Sequence, residues 1–143
     1  MRRILGILSL LLILVSGLIA CNSGMGGAML EDVAWVLESY GEPGNLTAVI
    51  ADTKITAEFV SADETLKGSA GCNSYFGSYE LKGSQLSIPG PIAATEMYCM
   101  EPKGVMDQEQ QYLAILQLAE RYEIDDHKLT IYCDGQVLIY RLD

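Results

Sequence analysis

The chain has 143 residues, with 9 Lys and Arg against 19 Asp and Glu, for a net charge of −10 at pH 7. That length fits one domain, with room for a single apolar core. So acidic a surface repels phosphate backbones and anionic headgroups, which sets nucleic-acid binding aside.

The N-terminus reads as an export signal. Arg2 and Arg3 precede an apolar run from Ile4 to Val15 that only Gly6 and Ser9 interrupt. The run leads to Leu18-Ile19-Ala20-Cys21, which resembles the lipobox of bacterial lipoprotein signals. The resemblance implies that Cys21 receives a diacylglyceryl group and becomes the new N-terminus after the leader is removed. The rival reading is an uncleaved membrane helix. Ile4 to Ala20 is 17 residues, or roughly 26 Å of helix against a hydrocarbon core about 30 Å thick. One acyl chain holds a protein weakly, whereas two hold it for long times. A diacylated Cys21 therefore anchors the chain without a spanning helix, and both readings give an exported, membrane-bound domain. Without its two leader arginines the chain carries 7 basic and 19 acidic side chains, a balance of −12. Asn22 follows the Cys, a pattern similar to outer-membrane sorting in two-membrane bacteria. The expected organisation is a signal peptide over 1–20, lipidated Cys21 with a flexible tether over 21–32, and a domain over 33–143.

Within the domain, Val33, Trp35 and Leu37 alternate with Ala34 and Val36 and predict a first strand. Gly41-Glu42-Pro43-Gly44-Asn45 is a turn cluster. Leu46 to Ala51 and Lys54 to Val60 predict the next two strands, and Ser61-Ala62-Asp63-Glu64 turns the chain again. Between Thr65 and Ile88, glycines 68, 71, 77 and 83 alternate with aromatic residues, as a strongly curved sheet with bulges requires. Gln85 to Ile88 predicts a short strand, Pro89-Gly90-Pro91 ends it, and Ile92 to Met100 runs extended. A helix is predicted over Pro102 to Tyr122. Val105, Tyr112, Leu113, Leu116 and Ala119 form its apolar stripe, with Asp107, Gln108, Gln111, Glu120 and Arg121 outside it. Glu109 falls at the edge of that stripe, a departure from the pattern. Asp125-Asp126-His127-Lys128 and Asp134-Gly135 predict turns around a strand at Leu129 to Cys133 and a closing strand at Val137 to Leu142. About six to eight short strands with one late helix give an α+β fold, a strongly curved, barrel-like antiparallel sheet packed on that helix.

Gly71-Cys72-Asn73-Ser74-Tyr75-Phe76-Gly77-Ser78-Tyr79, followed by Ala94-Thr95-Glu96-Met97-Tyr98-Cys99, resembles the signature of the META domain, or HslJ-like, family. Trp35-Val36-Leu37, the helix with Glu109 and Tyr112-Leu113, and the ending Val137-Leu138-Ile139-Tyr140 fit the same pattern. The resemblance covers about Val33 to Leu142. It implies a small envelope protein, often a lipoprotein, associated with heat-shock responses, motility or virulence, and it attaches no catalytic mechanism or cofactor.

Three cysteines remain beyond Cys21, so at most one internal bridge forms among them. Cys72 and Cys99 are the two within the family motifs and are the favoured pair. Buried free thiols, or a bridge from Cys133 to either, are the alternatives. Cys133 alternates with Leu129 and Ile131 and is expected in the core. No Cys-x-x-Cys supports a redox centre, and Cys72, Cys99, Cys133 and His127 lack the paired short spacing of a zinc site. His127, alone of its type, sits in a charged turn. Ser69 lacks a nucleophile-elbow setting, and the carboxylates Glu96, Glu101, Asp107 and Glu109 are neighbours that nineteen acids produce by chance. Asn45-Leu46-Thr47 matches the N-glycosylation acceptor pattern by chance in a lipobox-bearing chain.

Gly71, Asn73, Tyr75, Gly77, Tyr79, Thr95 and Met97 make up the family motif and a candidate contact surface, with Asn73, Tyr75 and Tyr79 as its centre. The alternative is that Asn73 holds a turn and the tyrosines pack over a tight bend. The expected protein is a monomeric, non-enzymatic envelope lipoprotein that contributes to stress tolerance. Its partners are the membrane, through lipidated Cys21, and an envelope protein or small ligand. The alternatives are a thiol–disulfide redox protein using Cys72 and Cys99, and a secreted inhibitor or small-molecule binder.

Overall fold

The computed structural model describes residues 29–143; the leader, Cys21 and most of the expected tether lie outside them. Eleven strands and one helix follow in the order β1 (Ala34–Glu42), β2 (Asn45–Ala48), β3 (Thr56–Val60), β4 (Thr65–Ser69), β5 (Ser74–Ser78), β6 (Glu80–Lys82), β7 (Gln85–Ser87), β8 (Ala93–Ala94), α1 (Val105–Leu116), β9 (Ala119–Asp125), β10 (Lys128–Cys133) and β11 (Gln136–Leu142). The strands form one antiparallel sheet with the order β6-β7-β9-β10-β11-β1-β3-β4-β5-β8, and β2 pairs beside β1. Only Tyr79 separates β5 from β6. One bent stretch of chain thus links the strand at one end of the order to the strand next to the other end, and the sheet curls into a half-barrel around α1. This is the α+β architecture that the alternating pattern and the single late helix predict. The strands outnumber the sequence estimate because β6 and β8 are only three and two residues long, too short to leave a periodic signal, and because β9 begins within the stretch predicted as helix.

The sheet's inner face supplies the core. Trp35, Leu37, Ala57, Phe59, Leu66, Leu129, Ile131, Leu138 and Tyr140 are all buried, and Tyr112 and Leu116 of α1 fill the concave side. Each buried large side chain contributes about 1.5–3 kcal/mol relative to exposure. The expected Asp134-Gly135 turn joins β10 to β11, with Cys133 facing Gln136 and both turn residues at positive φ, 45° and 79°. Such angles match the two-residue turn that suits the sheet's right-handed twist.

Two boundaries differ from expectation. Leu30, placed by sequence in the tether, is buried, and its carbonyl accepts the Trp35 indole N–H at 3.0 Å. Glu31 accepts a hydrogen bond from the Tyr79 hydroxyl, and Asp32 holds Ser61 through both its amide and its hydroxyl. Those two bonds, the hydroxyl's first, keep the Asp32 carboxyl below its ordinary range. Leu30, Glu31 and Asp32 thus already pack on the sheet, ahead of Val33. The helix, in turn, is shorter than expected at both ends. Gly104, at φ 90°, precedes its first turn, and it stops at Leu116. From Ala119 onward the chain pairs with β10, placing Tyr122 opposite Ile131 and Arg121 opposite Tyr132. Arg121 stacks over the Tyr132 ring with 3.4 Å between the guanidinium carbon and the ring centroid. Helix-compatible residues Ala119 to Arg121 take the extended form because that ladder and stack outweigh their intrinsic preference.

Candidate functional site

The two family motifs meet at the N-terminal half of α1, and Asn73 is where they join. Its side-chain N–H groups donate to Glu109 Oε1 at 2.7 Å and to the Met97 carbonyl at 3.0 Å. Its Oδ1 accepts the Thr95 hydroxyl and the Met97 amide, both at 2.7 Å. An Asn side chain offers two donors and one carbonyl with two lone pairs, so all of its capacity is used. Glu109 Oε2 accepts the backbone amides of Asn73 at 2.7 Å and of Cys72 at 3.2 Å. The edge position of Glu109 in the helical stripe now has its reason. The carboxylate is buried because it takes three N–H groups from the loop between β4 and β5. Gly71 gives that loop its shape at φ +112°, a conformation that side chains disfavour.

The same helix clamps two further loops. Gln108, expected outside the stripe, is 2% exposed. Its Oε1 accepts the Ile50 amide at 2.7 Å, and its Nε2 donates to the Thr53 hydroxyl at 3.1 Å. Gln117 accepts the Ile92 amide at 3.0 Å and donates to the carbonyls of Ile88 and Gly90. No composition rule singles these residues out. The available signal is a polar side chain interrupting an apolar helical face.

A disulfide joins Cys72 to Cys99, with their Cα atoms 5.9 Å apart and a separation of 27 in sequence. It fastens the two motifs a second time, beside the Asn73 junction. Cys133 is buried and unbridged among the described residues, and burial, reinforced by the nearby Glu120 charge, pushes its thiol up to about 12. Reduction of the bridge is expected to lower stability by about 3.6 kcal/mol, the chain-entropy value for a loop of this size. Urea denaturation with and without reductant measures the loss. A midpoint unmoved by reduction would show that the bridge constrains nothing, and Cys133 should stay unreactive to thiol reagents until the protein unfolds.

Tyr75 and Tyr79 are buried like Asn73. The Tyr75 hydroxyl donates to the Thr56 carbonyl at 2.8 Å and shares a hydrogen bond with Tyr112 at 2.7 Å, which in turn shares one with Tyr140 at 3.1 Å. Because a carbonyl only accepts, the chain runs from Tyr140 through Tyr112 to Tyr75 and ends on Thr56. Burial drives all three phenols well above their ordinary pKa, so they remain neutral. Tyr79 packs edge-on against Phe59, and burial, then its bond to Glu31, raises it too. The centre of the candidate contact surface thus turns inward, and the alternative, an internal holding role, describes these three residues. Gly77 is half-buried against Ile92. The motif's exposed side chains are Phe76, at 61% exposure, in its first half and, in its second, Thr95, Met97 at 58%, Tyr98 at 80% and, just beyond it, Met100 at 80%. His127 is a solvated turn residue 3.4 Å from Asp126. Among the described residues no group of His, Cys, Asp and Glu is placed to hold a metal, and no helix is long and apolar enough to cross a membrane.

Comparison with known proteins agrees with this architecture. An NMR structure of a protein from Burkholderia xenovorans is 28% identical, with a TM-score of 0.66, over 80% of this chain and 83% of that one. A second NMR structure is 25% identical, with a TM-score of 0.59, over 77% and 88%. The crystal structure of a DUF4847 family protein from Bacteroides vulgatus shares the fold at 15% identity and a TM-score of 0.56, over 79% and 94%. No curated protein matches. The META domain family model matches residues 28–142, which contain the Asn73 junction, the bridged cysteines and the helix that clamps them, and the chain belongs to the META domain family.

Proposed function

We propose that the protein is a non-enzymatic envelope lipoprotein, held to a membrane through a diacylated Cys21, that contributes to envelope or heat stress tolerance through protein or ligand contacts. The observation that carries the reading is how the family motif uses its polar groups. Asn73, Glu109 and the Tyr75–Tyr112–Tyr140 chain spend their hydrogen bonds on one another and on the backbone. What the motif turns outward at its second half is Met97 and Tyr98, adaptable thioether and aromatic surface suited to contact rather than proton transfer.

The lipobox-like Leu18-Ile19-Ala20-Cys21 supports the anchor. Growth with radiolabelled palmitate is expected to label the protein, and mass analysis should place a diacylglyceryl adduct on an N-terminal Cys21. Cys21→Ser should abolish both. An unlabelled protein that keeps its leader would overturn the anchor. The redox alternative is weaker because the third thiol, Cys133, lies in the core with its pKa raised, where it cannot resolve an exchange at Cys72 or Cys99. Rapid exchange of the Cys72–Cys99 bridge with small thiols would restore that alternative.

A further inference from the structure

A cleft of about 400 Å³ opens between α1 and the β1–β2 hairpin, on a part of the surface that the motif junction does not use. That volume falls within the range of about 300–1,000 Å³ typical of small-molecule sites. Tyr40 and Ile115 line it with apolar surface, and Asn45, Gln111 and Gln136 surround it with primary amides. Glu42 is its one charged side chain.

Tyr40 is the informative residue. It is 4% exposed, as deeply set as the tyrosines of the core. The hydroxyls of Tyr75, Tyr79, Tyr112 and Tyr140 all have protein partners. The Tyr40 hydroxyl has none among the described residues, and burial uncompensated by any hydrogen bond raises its pKa. Nor is its oxygen sealed from solvent, since no fully buried side-chain oxygen or nitrogen among the described residues lacks a partner. A nearly buried phenol in the wall of the cleft therefore keeps an open donor and acceptor. Asn45, Gln111 and Gln136 likewise hold no internal side-chain bond among the described residues, and each primary amide offers both donors and an acceptor.

We propose that this cleft binds a neutral saccharide. A sugar ring combines neighbouring hydroxyls, which primary amides and a phenol engage in pairs, with a C–H face that suits the apolar surface of Tyr40 and Ile115. Anionic ligands are disfavoured by Glu42 and by the chain's net charge, while one carboxylate is too little to select a cation. The inference deepens the contact role proposed above but stands on the cleft alone, so failure of the lipid-labelling test leaves it intact, and the reverse holds.

The test is an NMR titration of the ¹⁵N-labelled protein with cellobiose and, separately, N,N′-diacetylchitobiose. At least one disaccharide is expected to shift the side-chain amide signals of Gln111 and Gln136 and the backbone signals of Tyr40 to Glu42, saturably. Tyr40→Phe, which keeps the ring, should weaken binding about five- to tenfold, the value of one hydrogen bond. Gln111→Ala, on the exposed helix surface, should weaken it similarly without disturbing the remaining spectrum. The proposal fails if neither sugar moves these signals or if both variants bind as the parent does. It also fails if inorganic phosphate or an uncharged peptide shifts the same signals more strongly at equal concentration.

Discussion

Asn73→Ala is expected to lower the stability of the domain by about 3–5 kcal/mol, the largest loss of any single polar substitution among the described residues. The side chain makes four hydrogen bonds, to Glu109, Thr95 and both backbone groups of Met97. Removing it strands more than those bonds. Glu109 is 7% exposed, and its Oε1 would face the vacated space with no N–H to accept. A buried carboxylate short of donors costs more than a neutral group in the same position, because its desolvation is no longer offset. Glu109→Gln should be milder, about 2–4 kcal/mol, since the amide still presents one acceptor but turns a second N–H toward groups that are themselves donors. The double variant should lose less than the sum of the two, with a coupling of about 1–3 kcal/mol. Urea denaturation followed by tyrosine and tryptophan fluorescence measures each term. An Asn73→Ala midpoint equivalent to a loss below about 1 kcal/mol would mean that the junction does not hold the motifs together.

Gly68→Ala should be as damaging for a different reason. A Cβ at this position would lie 2.0 Å from the Thr56 carbonyl oxygen and 3.0 Å from Cε1 of Tyr75. The Thr56 oxygen is the acceptor at the end of the tyrosine chain, so the backbone cannot yield without breaking that bond. A loss of at least about 3 kcal/mol is expected, at the upper end for overpacking. Gly90→Ala is the control. Nothing lies within 4 Å of its added Cβ, and its effect should stay within about 0.5 kcal/mol. Equal stabilities of the two variants would show that the close approach at Gly68 is not required.

The fold was legible where the side-chain pattern is periodic over enough residues. Trp35 and Leu37, Ala57 and Phe59, and Leu129, Ile131 and Cys133 alternate cleanly, and Asp134-Gly135 marks its own turn. The end of the helix was not legible. Ala119-Glu120-Arg121 suits a helix locally, and only its cross-strand partners Cys133 and Tyr132 make it a strand. The site was half legible. The motif residues stood out, but a Tyr in a Gly-rich stretch reads equally as surface or as core. What decides is a remote partner: Thr56 and Tyr112 for Tyr75, Glu31 for Tyr79. Glu109 was legible only as a blemish at the edge of an apolar stripe, and Gln108 and Gln117 not at all, because hydrogen bonds to loops distant in sequence leave no periodicity. Tyr40 gave no signal at all, since its distinction is the bond it does not make.

The placement of β1 between β3 and β11 has a consequence for how the polypeptide matures. Trp35 faces Leu142, and the Asp143 amide donates to the Ala34 carbonyl. Among the described residues, the first strand cannot complete its ladder until β11, the last, is in place, and such distant pairing is slow to form. Removing Leu142 and Asp143 would take away the partners of Trp35 and Ala34 and leave that end of β1 held by β3 alone.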